Sequence, residues 1–216
     1  MKKFAVVLAG CGVYDGAEIQ EATLTLYMIM KQGAEYQIFA PDILQHHVIN
    51  HMTGQEMPEQ RNVLVESARI ARGNIQPLSQ LKAEDYDALI FPGGFGAAKN
   101  LCTFALAGAS CTVNPEVVGV IKAFMKRDKP IGALCISPVL LAKVLGDVVV
   151  TIGDDAPTAA EVEKLGADHV NTTHGEVIRD PNHKLFSTPC YNIEANILQV
   201  ATGIENIVRE MLEEME

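Results

Sequence analysis

Pro130-Ile131-Gly132-Ala133-Leu134-Cys135-Ile136-Ser137-Pro138 reads as a buried strand that delivers a cysteine to a sharp turn opening a helix. Gly132 and Ala133 keep the approach narrow. Ser137 is expected to cap the helix, and Pro138 suits a first turn where a missing N–H costs nothing. Val139 to Leu145 continues as an apolar helix. A thiol at such a helix start meets the positive end of the backbone dipoles, so its pKa is expected below that of a free cysteine. The same residues also describe a cysteine that merely packs as a small hydrophobe.

On either side of this segment, short runs rich in Val, Ile and Phe alternate with longer stretches of helical period. This is the pattern of a parallel sheet covered on both faces. Strands are expected at Phe4–Ala9, Tyr36–Ala40, Ala88–Phe91 and Pro130–Leu134. Helices are expected over Gly16–Gly33, Ala97–Phe104, Pro115–Arg127, Thr158–Leu165 and Ile193–Met215. Val148–Ile152 is a further apolar piece, and Glu176–Arg179 with Leu185–Ser187 read as antiparallel strands. No repeat, low-complexity tract or linker interrupts residues 1–216, which are read as one α/β domain.

Composition removes several classes of function. The 216 residues are 48% hydrophobic and 20% charged, and no apolar stretch approaches bilayer length, so a membrane role is not expected. With 27 acidic against 17 basic residues, the net charge of −10 repels a nucleic-acid backbone. Five cysteines without paired spacing suit a reducing compartment, and the chain is expected in the cytoplasm.

Two further loops lie at carboxyl ends of strands, where open α/β sheets bind ligands. Pro92-Gly93-Gly94-Phe95-Gly96 follows a strand and opens a helix, but fits neither nucleotide-binding glycine pattern. Its Gly94 amide, with that of Ile136, suits an oxyanion beside Cys135. Gly10-Cys11-Gly12-Val13-Tyr14-Asp15-Gly16 leads into a helix carrying Glu18 and Glu21. Three residues apart, these carboxylates share a helix face, and spacing alone leaves open which one turns toward the site. Asp42–Gln76 fits the alternation least and is expected to hold a hairpin near Val48–Gly54 and a helix over Val63–Ile70. His46, His47 and His51 cluster there without helical H-x3-H spacing or a cysteine partner, so no metal site is assigned.

Glu21, Phe91-Pro92-Gly93-Gly94-Phe95-Gly96 and Ala133-Leu134-Cys135 together resemble the ThiJ/PfpI family of the class I glutamine amidotransferase-like superfamily. Cys11-Gly12-Val13-Tyr14-Asp15-Gly16, Ile49-Asn50-His51, Arg61-Asn62-Val63-Leu64, Gly93 to Leu101 and Cys111-Thr112-Val113 resemble its ElbB branch, named for enhanced lycopene biosynthesis. The resemblance implies a flavodoxin-like three-layer sandwich, a nucleophile-elbow cysteine and a homodimer. It assigns the carboxylate to Glu21 and the oxyanion amides to Gly94 and Ile136. The chain departs from many relatives in placing no histidine beside Cys135 or about twenty residues later, leaving His174, Asp154 and Asp155 as candidate third residues. A leaving amine needs a general acid, so glutamine hydrolysis and proteolysis are disfavoured. What the resemblance implies instead is a glyoxalase without cofactor, metal or glutathione, which turns glyoxal or methylglyoxal into a 2-hydroxy acid through a Cys135 hemithioacetal. The alternative is a redox-responsive regulatory or binding protein, linked through the branch's name to isoprenoid biosynthesis, that senses through oxidation of Cys135.

Overall fold

Seven strands hydrogen-bond into one sheet, and the apolar runs read as strands supply its centre. The computed structural model describes residues 1–216. Its first half contains β1 (Lys3–Val7), α1 (Ile19–Lys31), β2 (Glu35–Ala40), β3 (Val48–Ile49), β4 (Glu56–Met57), α2 (Val63–Ile70), β5 (Ile75–Pro77) and β6 (Ala88–Phe91). There follow α3 (Phe95–Lys99), α4 (Phe104–Ala107), α5 (Pro115–Met125), β7 (Ile131–Leu134) and α6 (Pro138–Leu145). The chain then runs through β8 (Val149–Val150), α7 (Ala156–Glu163), β9 (Asp168–His169), β10 (Ile178–Arg179), β11 (Leu185–Thr188) and α8 (Ile197–Glu213). The sheet order is β10-β11-β7-β6-β1-β2-β5, parallel except for β10. No helix is long and apolar enough to cross a membrane.

Successive side chains of a strand point to opposite faces, so the sheet divides the core in two. Ala5, Val7, Phe39, Phe91 and Ala133 pack with α5 and α6 on one face. Phe4, Val6, Ile38, Ile90 and Phe186 pack with α1 and α8 on the other. This is the expected three-layer sandwich with a mainly parallel centre. Full burial of a side chain such as Phe39 or Phe91 contributes about 1.5–3 kcal/mol. Gly132 lets α8 pack close to the sheet: a Cβ there would lie 2.6 Å from Met211 Sδ and 3.1 Å from Ile90 Cγ1, so these buried side chains would have to shift.

The structure corrects several boundaries. The helix expected over Ala97–Phe104 is two short ones, separated where Asn100 turns inward to donate to the carbonyls of Ala9 and Asp15. Val149–Val150 pairs with β9 in a separate ribbon and does not join the central sheet. Ile75–Pro77 is an edge strand that the periodicity does not announce. The hairpin and α2 of the Asp42–Gln76 segment form as expected.

Candidate active site

β7 ends at Leu134, in register with Thr188 of the parallel β11, and the chain turns at once. Cys135 takes φ +60°, a left-handed conformation rare for a residue with a side chain. Its N–H donates to the Thr188 carbonyl, which fixes the turn to the neighbouring strand. The elbow read from the sequence is therefore present, and the strain sits at the thiol-bearing residue. Ser137 does not cap α6. Its hydroxyl donates instead to the Pro92 carbonyl at 2.8 Å, tying this turn to the one after β6.

Glu21 lies in the first turn of α1 and is fully buried. Its Oε2 accepts from Gly93 N–H at 3.0 Å and its Oε1 from Tyr191 N–H at 3.1 Å. Carboxylate and thiol meet over Gly93: a Cβ there would lie 2.5 Å from Glu21 Oε2 and 2.9 Å from Cys135 Sγ, and would overlap the Cys135 Cβ. Only glycine allows this approach. Glu18 caps α1 by accepting from Glu21 N–H at 2.7 Å, so the two carboxylates divide their roles and Glu21 is the one turned inward.

The amides assigned to an oxyanion converge on the same point. Gly94, at φ +99°, and Ile136 both present their N–H groups to the Cys135 sulfur. Neither N–H donates to a protein oxygen. Burial pushes the Glu21 carboxyl up to about 7, against the bonds from Tyr191 and Gly93. Burial and the Glu21 charge likewise push the Cys135 thiol well above the ordinary cysteine value, and the two amides offset this only in part. The low thiol pKa expected from the helix dipole is thus corrected, because desolvation and a carboxylate neighbour outweigh the dipole here. Below about pH 7 both groups are protonated, and above it the thiol alone keeps its proton beside an ionised Glu21.

A cavity of about 290 Å³ opens on Cys135, with Gly94, Ile136 and Glu18 in its wall. The candidate third residues stay outside it. His174, Asp154 and Asp155 are exposed, and Asp155 is occupied in capping α7 through Thr158. Nor do the three histidines of the Asp42–Gln76 segment converge: His51 Nε2 accepts from Tyr14 N–H, while His47 Nε2 lies 3.1 Å from Lys99 Nζ. Sequence reasoning missed the segment after β11. Tyr191 supplies its amide to Glu21, and Cys190, at φ +44°, is a second buried thiol raised by burial and by the charges of Glu21 and Cys135. The available signal was position alone, since Pro189-Cys190-Tyr191 follows the carboxyl end of a parallel strand.

Comparison with known proteins supports the same assignment of fold. The profile of the DJ-1/PfpI family matches residues 11–182. The chain is 50% identical to the human "Glutamine amidotransferase-like class 1 domain-containing protein 3, mitochondrial", over 98% of this chain and 82% of that protein. It is 49% identical to the rat "ES1 protein homolog, mitochondrial", over 98% and 83%. A crystal structure of an "isoprenoid biosynthesis protein with amidotransferase-like domain" from Ehrlichia chaffeensis superposes with a TM-score of 0.94 at 34% identity, covering 100% of both chains. The mitochondrial relatives overturn the cytoplasmic expectation. Unpaired cysteines separate reducing from oxidising compartments but do not tell one reducing compartment from another.

Proposed function

Because the chain belongs to the DJ-1/PfpI family, we propose that it is a glyoxalase that uses its own thiol where other enzymes use glutathione. The observation that carries this reading is the meeting at one cavity of a buried thiol, a buried carboxylate poised near neutrality and two amides that face the sulfur and donate to no protein oxygen. Glu21 accepts the thiol proton as Sγ adds to the aldehyde carbon, and the carbonyl π pair becomes an alkoxide held by the amides of Gly94 and Ile136. The proton then passes from Glu21 to that oxygen, giving the hemithioacetal. Glu21 next removes the hydrogen of the former aldehyde carbon as a proton and returns it to the adjacent carbon, while the hydroxyl proton moves to the neighbouring oxygen. One carbon is oxidised and the other reduced, so no external oxidant enters. Water cleaves the resulting thioester to the 2-hydroxy acid and restores the thiol.

No leaving amine needs a proton in this sequence, which is why the missing histidine matters less here than in peptide or glutamine hydrolysis. The motifs shared with the ElbB branch support placing the chain there, as one domain in a homodimer acting on a small aldehyde. Conversion of glyoxal to glycolate without glutathione, measured for wild type, Cys135→Ser and Glu21→Gln, tests the reading. Turnover in wild type and its loss in both variants is expected, whereas turnover that survives Cys135→Ser would refute it.

A second reading, a regulatory protein responsive to oxidation, draws on the isoprenoid-biosynthesis description of the Ehrlichia chaffeensis relative. Peroxide treatment separates the two: a sensor gains two oxygens at Cys135 together with a change in partner binding.

A further inference from the structure

The cavity over Cys135 is far larger than the two-carbon molecule that the proposed reaction requires. At roughly 30 Å³ per water molecule, 290 Å³ accommodates on the order of ten small-molecule heavy atoms. Its apolar wall comes from four elements of the fold: Val13 of the first loop, Phe95 and Ala98 of α3, Phe104 and Ala105 of α4, and Ile136 of the elbow.

The polar side chains in the wall are already engaged with the protein. Thr158 Oγ1 donates to Asp155 at 2.6 Å, Asn192 Nδ2 to the Ile152 carbonyl at 2.6 Å, and the Tyr191 hydroxyl to Gln20. Glu18 spends one oxygen on the Glu21 amide. The N–H donors free to meet a ligand are thus concentrated beside the sulfur, at Gly94 and Ile136, while the second oxygen of Glu18 and the amide oxygen of Asn192 are the remaining polar atoms of a mainly apolar wall. With glyoxal bound, the remaining space holds water against hydrocarbon, which an apolar substituent displaces favourably.

We infer that the site is built for 2-oxoaldehydes carrying an apolar substituent of about five to seven carbons, a size set by the cavity volume. The oxoaldehyde end reacts at Cys135 and the hydrocarbon lies against Phe95, Phe104 and Val13. This rests on the glyoxalase reading and specifies its substrate class. The bonds made and broken are those already given, with the substituent on the ketone carbon.

The test is kcat/KM of the full chain for glyoxal, methylglyoxal and 2-oxooctanal, each normalised to that aldehyde's rate with a free thiol. A rise along the series, on the order of tenfold or more from glyoxal to 2-oxooctanal, is expected for groups of methylene size entering an apolar pocket. Ala105→Trp, at an exposed position of the wall, fills the space and should lower kcat/KM for 2-oxooctanal more than for glyoxal. A flat or falling series with glyoxal still turned over overturns the inference and leaves the glyoxalase reading standing. Equal losses for both substrates in Ala105→Trp likewise count against it. Failure to turn over any of the three removes the glyoxalase reading itself.

Discussion

Replacing Glu21 by Gln should change the pH dependence of stability in one direction, by an amount the site geometry sets. The folded carboxyl sits at about 7, pushed up by complete burial, against an ordinary value of 4.5. Between those values the folded protein binds a proton that the unfolded chain has released, so the wild type loses stability as pH rises through the window. From pH 5 to pH 8 this loss amounts to about 2–3 kcal/mol, at about 1.4 kcal/mol for each pH unit between the two values and with the unfolded group already partly protonated at pH 5. Gln cannot ionise, so the variant lacks this component. Its amide nitrogen does face an N–H from Gly93 or Tyr191, which adds a penalty of about 1–3 kcal/mol that is independent of pH. The difference between variant and wild type cancels the titration of groups remote from Glu21. Urea unfolding at pH 5, 6, 7 and 8 should show the variant gaining on the wild type by about 2–3 kcal/mol across the range. A difference that stays level with pH would mean that Glu21 titrates as an ordinary carboxyl, and the picture of a buried base poised near neutrality would fall.

Gly93→Ala should abolish turnover and cost about 1–3 kcal/mol in urea unfolding, because its Cβ overlaps both Cys135 and Glu21. Ser137→Ala leaves the buried Pro92 carbonyl without its donor and should cost about 1–3 kcal/mol, with a smaller effect on kcat than on stability. Asp180→Ala should destabilise by a similar about 1–3 kcal/mol at pH 7, since one buried carboxylate accepts from the amides of Val149, Asn182 and His183. Burial raises the Asp180 carboxyl, but these bonds outweigh it and hold the group below the usual range. Its contribution is therefore present above the unfolded value and lost as pH falls through the folded one, so the penalty should shrink in unfolding measured at acid pH.

The elements legible in the sequence are those whose burial is nearly complete. Ala88–Phe91 and Ile131–Leu134 are buried at every position, and an unbroken apolar run flanked by turn residues has few other readings. Ile75–Pro77 escaped notice because it is an edge strand of three partly exposed residues ending in proline. The break between α3 and α4 escaped because Asn100 reaches Ala9 and Asp15, residues about ninety positions earlier. At the site, spacing placed Glu18 and Glu21 on one face but could not rank them. The ranking came from family resemblance, and its physical cause is that Glu18 is used up in capping the helix whose third residue is Glu21. The direction of the thiol pKa is hidden from the sequence for a similar reason. A helix start is visible in sequence, whereas full desolvation beside a second acid is a property of three segments brought together.

That correction bears on the choice between turnover and sensing. Peroxide attacks thiolates, and reactive sensor cysteines are both exposed and low in pKa. Cys135 is 7% exposed, and its proton is retained by burial and by a carboxylate neighbour. Such a thiol is poorly disposed to meet peroxide at rest. Addition to a carbonyl places different demands on it, because the acceptor of the thiol proton is already beside the sulfur and the new negative charge forms on the oxygen that Gly94 and Ile136 face. The raised pKa that protects the resting sulfur then costs little, since proton transfer to Glu21 accompanies attack and no free thiolate has to persist. The Cys135→Ser and Glu21→Gln losses should accordingly appear in kcat, while peroxide should oxidise Cys135 in Glu21→Gln faster than in wild type, because removing the neighbouring charge lowers the thiol pKa. Equal oxidation rates in the two proteins would show that the carboxylate does not govern the thiol's proton, and the proposed base would lose its function.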